Sequence, residues 1–193
     1  MPSDVTAQAA NDVLDPTDSV EFRRTMAEFA SGVTVVTALQ ADDASGLSEP
    51  VGFACQSFAS VSLEPPLVLF CVDRHSRTWQ GIRAAGRFCV NVLAEDQEEL
   101  CRRFGSRLGP RFDGLEWTTS AWGTPALPGV LARVNADVRS VHPEGDHYVV
   151  IGHVVAVERP RAGRPMVFFR GRFGLDADER SAESAWAWLD GWI

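Results

Sequence analysis

The alternation of apolar and polar positions is most regular late in the chain, where Val130, Ala132, Val134, Ala136 and Val138 alternate with Arg133, Asn135, Asp137 and Arg139. A period of two predicts an antiparallel strand with one dry and one wet face. Pro143-Glu-Gly-Asp146 turns the chain into a second strand over 147–157, and residues 160–165, bounded by prolines, turn it into a third over 166–170. Earlier, residues 33–39 alternate and are rich in β-branched side chains, and Ala41-Asp-Asp-Ala-Ser-Gly46 predicts a turn returning 51–56 as a hairpin partner. Residues 67–72 are an uninterrupted apolar run, too apolar for a surface strand, and 88–93 predict another buried strand. Pro65-Pro66 cannot donate to a ladder and marks the entry to the first of these. Between 56 and 65 the serine-spaced sequence predicts a turn.

Helical spacing appears in three places. Asp18-Ser-Val-Glu21 has the form of a capping box, followed by Phe22, Met26 and Phe29 before Gly32 offers a stop. Ser76 can cap a helix through Ala85 that ends at Gly86. Residues 95–104 place Leu100 and Phe104 on one helical face. From 105 to 129 the pattern dissolves into a Gly-, Pro- and Trp-containing connection with a weak strand signal near Trp117, a length that points to a functional loop.

Six or seven antiparallel strands with peripheral helices predict a mainly β (α+β) fold, a Greek-key barrel. Parallel winding is disfavoured, because few strands are separated by helices and no Gly-x-Gly-x-x-Gly follows a strand. One domain over 18–176 is expected, between a loose arm at 1–17 and a Trp-bearing tail at 177–193. The opening residues have neither the basic start nor the apolar centre of a secretory signal, and no apolar run approaches the ~20 residues of a membrane helix, so a cytoplasmic protein is expected. A net charge of −8 argues against nucleic acid or an anionic membrane as the main partner. Cys55, Cys71, Cys89 and Cys101 form no Cys-x-x-Cys pair, and buried free thiols are expected.

Chemistry concentrates in 52–73, GFACQSFASVSLEPPLVLFCVD. Gly52, Ala54 and Ser57 are small enough for a ligand to approach the backbone, while Gln56, Ser57, Ser60 and Ser62 offer polar contacts. That texture suits a flat, partly apolar ligand with polar edges and a phosphorylated tail. Downstream, Asp73-Arg-His-Ser-Arg-Thr78 sets Arg74, Ser76 and Arg77 at a predicted helix N-terminus, where free amides and the dipole favour phosphate. A capped surface helix with solvated arginines is the competing reading. His147 and His153 lie an even step apart and share a strand face, but no carboxylate or thiol falls at a spacing that completes a metal site. No Gly-x-Ser-x-Gly elbow is present, and no carboxylate pair for acid–base hydrolysis emerges.

Six stretches in order, Gly32-Val-Thr-Val-Val-Thr37, the quoted 52–70 segment, Ser76-Arg-Thr-Trp79, Phe88-Cys-Val-Asn-Val-Leu-Ala94, Gly145-Asp-His147 and Phe168-Phe-Arg-Gly-Arg-Phe173, resemble the flavin reductase family. More narrowly, they look like the small reductase components of two-component flavin-dependent monooxygenases. The resemblance covers about residues 20–175. It implies a split β-barrel that forms a homodimer and binds FMN or FAD with the ring near the subunit interface. The positions matching Ala54, Cys55, Gln56, Ser57, Ser60, Val61 and Ser62 are then expected at the ring and ribityl chain, with Val72 beside them. Arg74, Ser76, Arg77 and Thr78 are expected near the phosphate, and Arg103 and Phe104 at a helix end facing the flavin. His147 is expected beside the nicotinamide of NADH (or NADPH), and Arg172 and Phe173 to help hold that co-substrate.

This chain has Ala54 and Gln56 where many members carry Thr and Asn, which removes a hydroxyl and implies weaker flavin retention or greater reliance on backbone amides. The implied reaction is hydride transfer from NADH (or NADPH) to flavin, with diffusing reduced flavin feeding a separate oxygenase that acts on an aromatic or steroid-like compound. Two other readings stay open: a flavin-binding split barrel without turnover, and a flavin-linked oxidase. His147 speaks against the first, and the lack of extra basic residues for a second phosphorylated substrate against the second. For the tail with Trp186, Trp188 and Trp192, packing within a dimer, covering the site mouth and docking an oxygenase are all open.

Overall fold

The structure, a computed structural model, describes residues 13–41, 48–106 and 109–174. The turn expected at 41–46, most of the N-terminal arm and the Trp-bearing tail therefore lie largely or wholly outside the described residues. In chain order the elements are α1 (Ser19–Met26), β1 (Ser31–Gly32), β2 (Thr34–Ala41), β3 (Ser48–Cys55), β4 (Ala59–Leu63), β5 (Pro66–Asp73), α2 (Arg77–Ala85), β6 (Arg87–Val92) and α3 (Glu98–Gly105). They continue with β7 (Thr118–Thr119), β8 (Pro125–Ala126), β9 (Ala132–Glu144), β10 (His147–Glu158), β11 (Val167–Phe169) and β12 (Arg172–Phe173).

A seven-stranded antiparallel sheet in the order β3-β2-β6-β9-β10-β5-β4 forms the body. Its two edge strands, β3 and β4, are joined by Gln56–Phe58 alone, so the sheet curls until its ends approach without pairing. Ser57 bridges that split: its Oγ accepts from Cys71 N on β5 at 2.8 Å. Across the interior, Phe53 of β3 meets Phe70 of β5 edge-on at 5.9 Å.

β2 and β6 are buried on both faces over most of their length, and the polar side chains they carry there, Thr34, Thr37 and Asn91, are buried with them. On one face Val36, Ala38, Phe70, Phe88, Val90 and Val150 pack with Trp79 and Ile82 of α2, which plugs the barrel. Gly152 is required there, because a Cβ would stand 2.4 Å from Phe88 Cζ. On the other face Val33, Val35 and Leu93 pack with Cys101 and Phe104 of α3 and with Leu127, Val130, Met166 and Phe168.

The caps follow the sequence. Asp18 Oδ1 accepts from Val20 N at 2.9 Å, Ser76 Oγ accepts from Trp79 N at 3.2 Å, and Gly86 ends α2 at φ 69°.

Four expectations change. Residues 59–63, expected as part of a turn, form edge strand β4; with a single neighbour and exposed faces it needs no apolar run. The first helix ends at Met26, and Ala27 O accepts from Arg170 N, leaving Phe29 exposed. The third helix begins at Glu98, because Gln97 folds back so that its Oε1 accepts from Ala94 N at 3.0 Å. Finally, the face of β9 expected to be wet is dry at Asn135, which the 120–124 segment covers: Thr124 Oγ1 donates to Asn135 Oδ1 at 2.6 Å.

Candidate active site

The end of β3 and the turn after it place Ala54 and Gln56 half-buried, with Cys55 buried between them. Burial pushes the Cys55 thiol up to about 11, with Ser57 Oγ at 3.3 Å from its sulfur opposing the shift. Gln56 Nε2 is buried and has no hydrogen-bond partner. Leaving a buried amide donor unpaired costs about 1–3 kcal/mol, so such an atom points to an acceptor supplied from outside the chain. Ser60 and Val61 are exposed on β4 and Ser62 is half-buried there.

The turn from β5 into α2 is held by its own polar groups. Asp73 O accepts from Ser76 N at 3.0 Å and Asp73 Oδ1 from His75 N at 2.6 Å, while the Ser76 hydroxyl is taken by the helix cap. Arg74 Nη1 donates to Gly145 O at 2.8 Å, with its guanidinium 5.4 Å from the centre of the Tyr148 ring. Arg77 is exposed in the first turn of α2. Thr78 Oγ1 accepts from Arg111 Nη1 at 2.9 Å.

His147 is brought to this turn by strand register, since it pairs with Asp73, and Arg74 N donates to Asp146 O at 3.1 Å. His147 Nδ1 lies 2.7 Å from Asp146 Oδ1. That hydrogen bond, followed by the charge of the ring, holds the Asp146 carboxyl below its ordinary value. A carboxylate at Nδ1 fixes the plane of the ring and leaves Nε2 pointing away from Asp146.

Several expected site residues turn their side chains elsewhere. Val72, Cys55 and Phe104 belong to the two apolar cores, with Phe104 edge-on to Phe112 at 5.0 Å, so these side chains are committed to packing. The Ser57 and Ser76 hydroxyls are engaged as described, and Arg103 Nη2 donates to Asp113 O. Phe173 lies against α3, with the Arg102 guanidinium 5.4 Å from its ring, and Arg172 Nη2 is buried without a partner. A recess of about 140 Å³ lined by Arg87, Trp122, Thr124, Asn135 and Asp137 contains none of the expected residues.

Arg111 was not among the expected residues. Its Nη1 donates to Gly52 O at 2.6 Å as well as to Thr78, and Nη2 and Nε donate to Ser106 O at 2.7 and 3.1 Å. One side chain thus ties β3, the start of α2 and the end of α3 together. Its sequence setting, Gly-Pro-Arg-Phe within a long connection, signalled a working loop without naming the partners.

Comparison with known proteins bears on the family and the fold. The family described as flavin reductase like domain matches residues 26–174. The reductase subunit HsaB of a flavin-dependent monooxygenase from Rhodococcus jostii is 46% identical over 180 residues, which covers 92% of this chain and 88% of that protein. The crystal structure of nitrilotriacetate monooxygenase component B from Mycobacterium thermoresistibile superposes with a TM-score of 0.75 at 43% identity, covering 85% of this chain and 93% of that one. An NADH:FAD oxidoreductase from Streptomyces globisporus, solved with NAD and FAD fragments, reaches a TM-score of 0.77 at 36% identity and covers 88% and 99% of the two chains. These likenesses identify the curled sheet as the split barrel of flavin reductases, and the chain belongs to the flavin reductase like domain family.

Proposed function

We propose that this chain is an NAD(P)H-dependent flavin reductase, using NADH or NADPH to reduce FMN or FAD and releasing reduced flavin to a separate monooxygenase component. The observation that carries the reading is the buried, unpartnered Gln56 Nε2 at the end of β3, inside the segment that matches the family. An amide donor held there fits a carbonyl on the edge of the flavin ring, and half-buried Ala54 beside it leaves the ring room to lie close to the backbone.

A bound flavin would supply the two-electron chemistry, as acceptor of the hydride that the reduced nicotinamide gives up. The protein's part is alignment. Gln56 and the backbone of 54–57 hold the ring edge, with Ser60, Val61 and Ser62 along the exposed strand beside the ribityl chain, and Arg74, Arg77 and Thr78 face the phosphate. His147, fixed by Asp146, orients the nicotinamide. Holding two reactants face to face is worth roughly 7–11 kcal/mol in favourable cases, so no general base is required.

The reading extends to a homodimer in the cytoplasm and to an oxygenase acting on an aromatic or steroid-like compound. Exposed Val61 and Leu63 on edge strand β4 support the dimer, since an unpaired edge with apolar side chains favours a partner. The test is loss of NADH absorbance on mixing the purified chain with FMN, FAD or riboflavin. Oxidation of NADH that depends on added flavin supports the proposal; absence of turnover with all three, while a control reductase works, removes it.

A further inference from the structure

Arg111 is a cation set among neutral acceptors. It reaches the carbonyls of Gly52 and Ser106 and the hydroxyl of Thr78 through Nε, Nη1 and Nη2. It forms no ion pair among the described residues, and burial alone lowers its pKa. A guanidinium stays protonated even so, which leaves a half-buried positive charge with no carboxylate partner among the described residues. Meanwhile the Thr78 oxygen, having accepted from Nη1, keeps its own O–H to donate elsewhere.

We infer that Arg111 is a positioning residue for the phosphorylated tail of the flavin: it fixes Thr78 so that the hydroxyl proton and the uncompensated charge both face the phosphate. This rests on the proposed function, in which the start of α2 lies at that phosphate. The bonds to Gly52 and Ser106 lock Arg111 itself, because its fork is held from β3 and α3 at once. Lysine cannot replace it, since a single ammonium on a flexible stem does not span three acceptors from three elements.

The test compares FMN with riboflavin, which lacks the phosphate, in the wild type and in Arg111→Gln, Arg111→Lys, Thr78→Val and Thr78→Ser. In Arg111→Gln, Arg111→Lys and Thr78→Val, KM for FMN should rise about tenfold, as loss of a hydrogen bond to a charged group implies, with KM for riboflavin and for NADH within about twofold. Thr78→Ser keeps the hydroxyl and should retain wild-type KM for FMN. A folded Arg111→Gln and Thr78→Val with an unchanged ratio of the two flavin KM values overturns the inference. So does an equal rise for both flavins accompanied by a lower Tm, which makes Arg111 a structural bolt. Should Arg111→Gln fail to fold, Thr78→Val decides alone. If the wild type reduces no flavin, the proposed function fails separately, and quenching of FMN against riboflavin fluorescence on binding still reads the inference.

Discussion

Two groups of buried polar side chains in this protein obey opposite rules. Around Asn91, every polar atom is satisfied by the chain: Nδ2 donates to Val35 O and to Thr37 Oγ1, both at 3.1 Å, and Oδ1 accepts from Leu127 N at 3.0 Å. Thr37 Oγ1 in turn donates to Pro125 O at 2.7 Å. At the end of β3, Gln56 Nε2 is equally dry and has no partner. A closed network fastens backbone, here the 125–127 segment to β2 and β6. The open Gln56 donor fastens nothing within the chain and is left to bond an acceptor from outside it.

The largest expected effect comes from breaking the closed network. Asn91→Leu strands Leu127 N in the core and takes a donor away from Val35 O and Thr37 Oγ1, and should destabilise by about 3 kcal/mol, lowering Tm by roughly 10 °C. Flavin KM in the folded fraction should stay near the wild-type value. Gln56→Leu is the mirror test. Thermal scanning should show little loss of Tm, because no internal bond is removed, while KM for every flavin, riboflavin included, rises about tenfold. A variant melting well below wild type with unchanged flavin KM would reverse the comparison.

A smaller effect is expected at the orienting histidine. His147→Ala should cut kcat/KM for NADH several-fold, on the order of 1 kcal/mol of lost alignment, and leave flavin fluorescence quenching unaltered. Weaker flavin binding with normal NADH kinetics would place His147 on the wrong substrate.

The mildest effect concerns pH, and on it the two regions should agree. Burial pushes the thiols of Cys55, next to Gln56, and of Cys89, beside Thr124, up to about 11 and about 12. Both are raised, so the stability they contribute is fully present below the ordinary thiol value of 9.0 and is lost as pH rises past it toward the folded values. Tm should therefore be insensitive to these thiols up to about pH 9 and decline above it. Rapid modification of all four cysteines by a thiol reagent in the native state at pH 8 would contradict that burial.

Much of this was legible in the sequence because the signals were local. Strand periods, the Ser76 and Asp18 caps and the Gly86 stop each depend on a few neighbouring residues, and the family resemblance rested on short motifs in order. Strand β4 was not legible, since an edge strand with both faces exposed carries no apolar alternation. Asn135 read as solvated because its cover, Thr124, comes from a segment with almost no periodicity. Arg111 escaped for the same reason: its three acceptors are drawn from residues 5, 33 and 59 positions away, a relation that only the folded chain expresses. Gln56 was visible as a departure at a matched position, but whether its amide was engaged depended on the burial of the turn.

The most direct measurement of the central claim is an anaerobic mixing experiment with the protein, one equivalent of NADH and one of FMN, followed at the flavin absorbance band. The account predicts full bleaching, one flavin reduced per NADH, slowed at limiting flavin in Gln56→Leu. Bleaching no faster than in buffer, or equally fast in Gln56→Leu at limiting flavin, would contradict it.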